Sequence, residues 1–200
     1  EKMFPIYEKI GSLGLIVLFQ KEIRQFFSTI GARNRRSAVL RKLFGNRKTD
    51  ALDVNRKHLL PIVMACINMA KQKEGALIVI QRSDSLREEI NSGDLINAYI
   101  SQRLIENIFF KNAPLHDGGM VISGDRVVAA KCVLPVTRQD VPKAYGMRHR
   151  AALGMSEVSD AIVIAVSEET GGISVAYGGK IERNIPPQRL AKAISQHFIS

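Results

Sequence analysis

Cysteine is nearly absent from this 200-residue chain, and the two that occur, Cys66 and Cys132, sit inside apolar runs with no CxxC or Cys/His spacing. That excludes a disulfide framework and a zinc cage, and it fits a reducing, cytoplasmic setting. Long hydrophobic runs are missing as well. Residues 13–19 are apolar for only seven positions before Gln20-Lys21-Glu22, far short of the roughly 20 residues that span a bilayer, so no membrane crossing is expected within this sequence. The charges lie on the wrong side of that run for a signal peptide, and no small-residue cleavage site follows it. Because the chain opens at Glu1 rather than on methionine, a longer parent protein is expected. Internal repeats and low-complexity tracts are absent.

Acidic residues are also scarce, 19 against 29 lysines and arginines, but the imbalance is local. Between Lys21 and Lys48 there are nine basic residues and a single acid, Glu22, which leaves 20 bases against 18 acids elsewhere. The body is therefore nearly neutral, and the positive charge says little about what the core binds. A basic run after an apolar stretch suits anionic lipid headgroups or nucleic acid, and equally a solvated connector.

What the chain does have is enough apolar residues, 46%, for one domain with a full core. Residues 15–30 carry Ile16, Phe19, Ile23, Phe26, Phe27 and Ile30 at helical spacing, with Gly31 as the stop, and residues 33–49 read as a polar connector. A second helix is expected to start near Pro61, with Ile62, Cys66, Met69 and Ala70 as its buried stripe, and to end over residues 71–75. The branched run 76–80 predicts a strand covered on both faces. Residues 104–110 predict a helix capped by Ser101, and 120–122 and 127–133 predict strands flanking the turn Ser123-Gly124-Asp125-Arg126. A loop is expected over 139–146, a helix over 148–159 and a buried strand over 161–166. A second hairpin should run through Gly178-Gly179, joining 173–177 to 180–181, and a closing helix over 187–199 should use Leu190, Ile194 and Phe198. Strands interleaved with helices make this an α/β chain with a mixed parallel and antiparallel central sheet flanked by helices, preceded by an N-terminal helix.

Three short motifs carry polar chemistry. Asp117 precedes Gly118 and Gly119, presenting a carboxylate where the backbone can turn sharply and approach a ligand; such a group holds a metal or accepts a hydroxyl proton. His116 beside it is either a metal ligand or a loop histidine. Arg148, His149 and Arg150 stand at a loop-to-helix junction, where free N–H groups and the helix dipole favour an anion and the guanidinium fork matches phosphate oxygens. Ser167, Glu168 and Glu169 follow a strand end, where carboxylates suit magnesium or manganese brought in with a polyphosphate. Each motif by itself is equally an ordinary turn or a salt-bridged helix start.

Taken together, Lys111-Asn112-Ala113-Pro114-Leu115-His116-Asp117-Gly118, Arg148-His149-Arg150-Ala151-Ala152-Leu153-Gly154 and Ser167-Glu168-Glu169-Thr170-Gly171 resemble the diadenylate cyclase domain of the membrane-anchored type. The likeness runs from about Ala76 to Tyr177. Upstream, Leu18-Phe19-Gln20-Lys21-Glu22-Ile23-Arg24 resembles the segment that joins that family's transmembrane helices to its cytosolic domain. The resemblance implies residues 1–50 as an N-terminal helix and basic connector following a membrane anchor, and residues 51–200 as the catalytic domain on the cytoplasmic face of the membrane. It implies condensation of two ATP into cyclic di-AMP with release of two pyrophosphates, using Mn2+ or Mg2+. Asp117 and Gly118 would then lie at the reacting ribose hydroxyl and metal, and Arg148, His149 and Arg150 at the phosphates. Ser167, Glu168 and Leu134 would contact the nucleotide, Leu134 against adenine, while His116 and Glu169 would hold the metal.

Three positions depart from the family pattern. Gly119 stands for the usual alanine, Met147 for a threonine hydroxyl, and Val133 for an aromatic that stacks on the base. The product has two-fold symmetry while each motif occurs once, so two protomers are expected to meet face to face as a homodimer. Regulatory protein partners are implied for the parent, and nucleic acid is not expected. The rival readings are a nucleotide sensor of the same fold that leaves ATP unconverted, and a phosphatase using His149 as nucleophile.

Overall fold

The computed structural model describes residues 48–142 and 145–198, with side chains from His58 onward. The helix expected over residues 15–30 and the connector as far as Arg47 lie outside the described residues. Twelve elements follow in order: α1 (Lys48–Gln72), β1 (Ala76–Ile80), α2 (Arg87–Ser92), β2 (Asp94–Tyr99), α3 (Gln102–Phe109), β3 (Gly119–Ser123), β4 (Arg126–Cys132), α4 (Met147–Val158), β5 (Ile162–Val166), β6 (Ile173–Tyr177), β7 (Lys180–Glu182) and α5 (Pro187–Gln196).

The strands form one seven-stranded sheet in the order β2-β4-β3-β1-β5-β6-β7. Only β1 and β3 run parallel; every other neighbouring pair is antiparallel. The mixed sheet expected from the sequence is what forms. Alternation along β1 explains the layering: Ala76, Ile78 and Ile80 face a core shared with α1, α3 and α5, while Leu77 and Val79 face a second core shared with α4 and Leu86. A strand buried on both faces cannot show a polar/apolar alternation, which is why β1 and β5 read as continuous apolar runs.

Two expectations need correction. The first long helix begins at Lys48, not near Pro61, and Pro61 lies inside it. Proline forfeits one helical hydrogen bond, but Leu59, Ile62, Val63, Cys66 and Met69 all bury against the sheet around it. At about 25 cal/mol per Å2 of apolar surface, five such side chains outweigh one proline penalty of about 3 kcal/mol. Ala70, expected in the buried stripe, is only half-buried, and Lys48 and Thr49 belong to α1 rather than to the connector. The second correction is an omission. Helix α2, Arg-Glu-Glu-Ile-Asn-Ser, buries none of its residues, and β2 is an edge strand whose register slips between Leu95 and Ala98. Asn97 there has a left-handed φ of 48°, a bulge that breaks the period of two on which strand recognition depends.

Elsewhere the elements fall within a few residues of expectation. Ser101 caps α3 by accepting from the Leu104 N–H at 3.2 Å, and both hairpins turn where predicted. The two thiols are buried. Burial pushes Cys66 up to about 12; at Cys132 burial, with Glu89 and Asp94 nearby, raises it to about 11. Since the thiolate is the nucleophile, neither cysteine should be alkylated by iodoacetamide at pH 8 in the folded protein, while both react in denaturant. Intact mass reads the result, and rapid native alkylation would contradict the burial.

Candidate active site

The three motifs converge on one edge of the sheet, where β1, β3 and β6 begin and β4 and β5 end. This is not the carboxyl edge where fully parallel sheets bind ligands; only β1 and β3 are parallel, and the site lies at their amino ends.

Helix α4 opens with Met147, preceded by Gly146 in extended geometry, so the Arg148, His149 and Arg150 triplet occupies its first turn. The Arg150 N–H already bonds the Gly146 carbonyl at 3.2 Å, which leaves the helix-start N–H groups before it without an intrahelical partner. Arg148 reaches back over the start of β1. Its Nη1 pairs with Glu168 Oε2 at 2.7 Å, and a Cβ placed on Gly75 would come within 2.6 Å of its guanidinium carbon. A side chain at residue 75 would therefore displace the arginine that the third motif holds. The pair is partly solvated, with Glu168 61% exposed, so its worth lies in orienting the fork rather than in stability.

Arg150 is half-buried, and its Nε is enclosed with no hydrogen-bond acceptor among the described residues. A buried donor left unpaired is costly, and an anionic oxygen supplied by a ligand satisfies it. His149 is buried at 5% exposure. Burial, reinforced by the Arg183 charge and opposed by Glu169, lowers its pKa below the ordinary histidine value, which favours a neutral imidazole at pH 7.

The carboxylate motif lies at the amino end of β3. Asp117 is exposed on the approach to β3. His116 Nδ1 lies 2.6 Å from the Ala113 carbonyl; since a carbonyl only accepts, Nδ1 carries the proton and Nε2 keeps its lone pair, the tautomer of a metal-binding histidine. Leu134 follows β4 and packs over Gly119, where an added Cβ would meet its Cδ1 at 2.6 Å. The glycine that departs from the family pattern thus leaves room for this leucine. Val133 and Met147, the other two departures, are 71% and 69% exposed. Ser167 anchors the third motif: its N–H donates to the Gly172 carbonyl, its carbonyl accepts from Gly171 and its hydroxyl accepts from Thr170 N–H, which leaves Glu168 and Glu169 exposed. Among the described residues no three histidine, cysteine or carboxylate side chains come together to hold a metal ion.

Residues 63–181 match the family model described as DAC, DisA bacterial checkpoint controller nucleotide-binding, and that match spans all three motifs. The chain belongs to the diadenylate cyclase family. Among the cyclases it resembles is Cyclic di-AMP synthase CdaA of Bacillus subtilis, 37% identical over 94% of this chain and 66% of that protein. Diadenylate cyclase of Listeria monocytogenes is 38% identical over 95% of this chain and 67% of that protein. The chain spans about two thirds of the length of these relatives. In structure it resembles a double mutant of DacA from Staphylococcus aureus, with a TM-score of 0.70, 40% identity, and coverage of 73% of this chain and 98% of that one. It also resembles a hypothetical membrane spanning protein from Bacillus cereus, with a TM-score of 0.61, 31% identity, and coverage of 89% and 94%. No helix among the described residues of this cyclase-family chain is long and apolar enough to cross a membrane.

Sequence reasoning missed several residues of this edge. Gly75 and Gly119 are isolated glycines whose role is visible only once Arg148 and Leu134 lie on them. Tyr145 and Arg183 stand in no motif, yet Tyr145 packs beside His149 and Arg183 lies over the Tyr145 ring.

Proposed function

We propose that this chain is a nucleotidyltransferase that condenses two ATP molecules into cyclic di-AMP, releasing two pyrophosphates, with the active site formed between two face-to-face protomers. The observation that carries the reading is the single-edge grouping of the carboxylate, Arg-His-Arg and Ser-Glu-Glu motifs in a chain of the diadenylate cyclase family. Asp117 accepts the proton of the attacking 3′ hydroxyl. Arg148 and Arg150 bind the phosphates of the triphosphate and stabilise the charge on the oxygens of the attacked α-phosphoryl group, with His149 neutral between them. The enclosed Arg150 Nε and the helix-start N–H groups of α4 support that assignment. Leu134 and Gly118 shape the nucleoside pocket, Ser167 and Glu168 contact the nucleotide, and Glu168 also orients Arg148.

A divalent cation, Mn2+ or Mg2+, brought in with the triphosphate would be held by His116 through Nε2 and by the exposed Glu169 carboxylate. When bound it neutralises phosphate charge. Residues 51–200 form the catalytic domain, and the chain before α1 links it to a membrane anchor on the cytoplasmic side, where regulatory proteins have access. Nucleic acid has no part in this reading.

Incubating the chain with ATP and Mn2+ and identifying the nucleotide by mass tests the proposal: cyclic di-AMP is expected. ATP bound but unconverted would make the protein a sensor, and inorganic phosphate without a cyclic product would make it a phosphatase. Because each protomer carries one copy of every motif, specific activity should rise with protein concentration. A rate per chain that stays constant through serial dilution, while sedimentation shows monomers, would remove the two-protomer site.

A further inference from the structure

Two side chains that belong to none of the motifs, Arg183 and Tyr145, stack beside His149 of the phosphate-binding motif. Arg183 follows β7 and is brought to the site edge by pairing: Glu182 lies opposite Val175, and the Ile185 N–H donates to the Ile173 carbonyl at 2.8 Å. Its guanidinium carbon stands 4.6 Å from the centre of the Tyr145 ring. The Tyr145 ring also meets the His149 imidazole, with centroids 5.8 Å apart and planes tilted by 52°. Both spacings fall in the range of attractive cation–π and tilted aromatic contacts. The stack thus links three separated segments: the strand β7 exit, the loop before α4 and the first turn of α4.

The Tyr145 backbone is held by its N–H donating to the Pro142 carbonyl at 2.9 Å, and its ring is a surface on which the imidazole packs. The Arg183 guanidinium lies over that ring, and its planar, always-charged form suits a stack that an ammonium group matches poorly. His149 is buried at 5% exposure, so few other contacts with solvent compete for its orientation.

We infer that Arg183 is a positioning residue: through the Tyr145 ring it fixes the orientation of the His149 imidazole beside the phosphate-binding arginines. The inference rests on the cyclase reading of the site and extends it to two residues outside the family motifs. A residue that orients a group near the reacting phosphate without touching substrate affects the rate of the chemical step more than the affinity for substrate.

The test measures cyclic di-AMP formation by the full chain with ATP and Mn2+, together with the His149 ring resonances, assigned by comparison with His149→Gln. Arg183→Met and Tyr145→Leu should each lower kcat about tenfold with KM for ATP within about twofold. Tyr145→Phe should restore most of the kcat lost in Tyr145→Leu, because the ring is kept, and Arg183→Lys should fall between Arg183→Met and the parent. The His149 resonances should move in Tyr145→Leu, where the ring current is lost, and stay close to their original positions in Tyr145→Phe. A rise in KM at unchanged kcat in Arg183→Met would make Arg183 a direct phosphate ligand and overturn the inference. So would unmoved resonances or parental turnover in Tyr145→Leu. If Arg183→Met fails to fold, Arg183→Lys, which keeps charge and length, carries the kinetic comparison, and parental kcat in it would overturn the stack. Absence of a cyclic product from the parent chain defeats the cyclase reading, whereas normal product from both disrupted variants defeats the positioning role alone.

Discussion

Asp117→Asn is expected to abolish cyclic di-AMP formation while leaving the protein folded. The two side chains have the same shape, and Asp117 is exposed on the approach to β3, so the exchange removes a charge without opening a cavity. What it removes is the ability to accept a proton from a sugar hydroxyl. A positioned general base contributes about 10^2- to 10^4-fold, so product should fall by roughly 10^3-fold. The unfolding midpoint should stay within about 2 °C, in keeping with an exposed substitution worth less than about 0.5 kcal/mol. Near-normal turnover in Asp117→Asn would take this carboxylate out of the chemistry. A collapsed midpoint would make its role structural.

Gly154→Ala should destabilise the protein even though helix propensity argues the reverse. Gly154 lies within α4, and alanine in a helix interior is favoured over glycine by about 1 kcal/mol. Opposing this, a Cβ at position 154 would come within 2.5 Å of the Pro135 carbonyl oxygen and of the Thr137 nitrogen, and within 2.7 Å of the Val136 carbonyl carbon. These are backbone atoms, and the segment cannot easily retreat, because the Thr137 N–H donates to the Arg150 carbonyl at 3.1 Å and the Thr137 hydroxyl to Glu157 Oε1 at 2.5 Å. Overpacking against fixed atoms costs about 3 kcal/mol, which exceeds the propensity gain and leaves a net loss of roughly 2 kcal/mol. The thermal midpoint should drop by about 4 to 8 °C. Activity should fall further than stability, since the segment carrying Leu134 and the helix carrying the Arg-His-Arg triplet are the two bodies forced apart. An unchanged or raised midpoint would show that propensity wins and that the close crossing is soft.

Much of the arrangement was readable from local patterns because local physics sets it. Continuous branched runs at β1 and β5, the hairpin turns and the Ser101 cap each depend on a few neighbouring residues. The motif strings were equally plain, and so was the family they indicate. Elements whose stability comes from elsewhere in the chain were not readable. Helix α1 runs through Pro61 because the sheet buries its apolar face, a reward that no window centred on the proline contains. Strand β2 pairs at the sheet edge around a left-handed Asn97, so the alternation that marks a strand is interrupted where it is most needed.

By itself, the sequence determined the sheet-rich α/β class, the polar motifs and their membership in the diadenylate cyclase family, since residue type and short spacing encode all three. The tertiary structure alone decided which edge holds the site: a single parallel pair within an otherwise antiparallel sheet puts the amino ends of β1 and β3 beside the carboxyl ends of β4 and β5. It also decided which unremarkable residues serve that edge. Gly75 lies beneath Arg148, Gly119 beneath Leu134, and Arg183 over the Tyr145 ring that packs on His149, contacts between segments far apart in the chain that only packing can bring together.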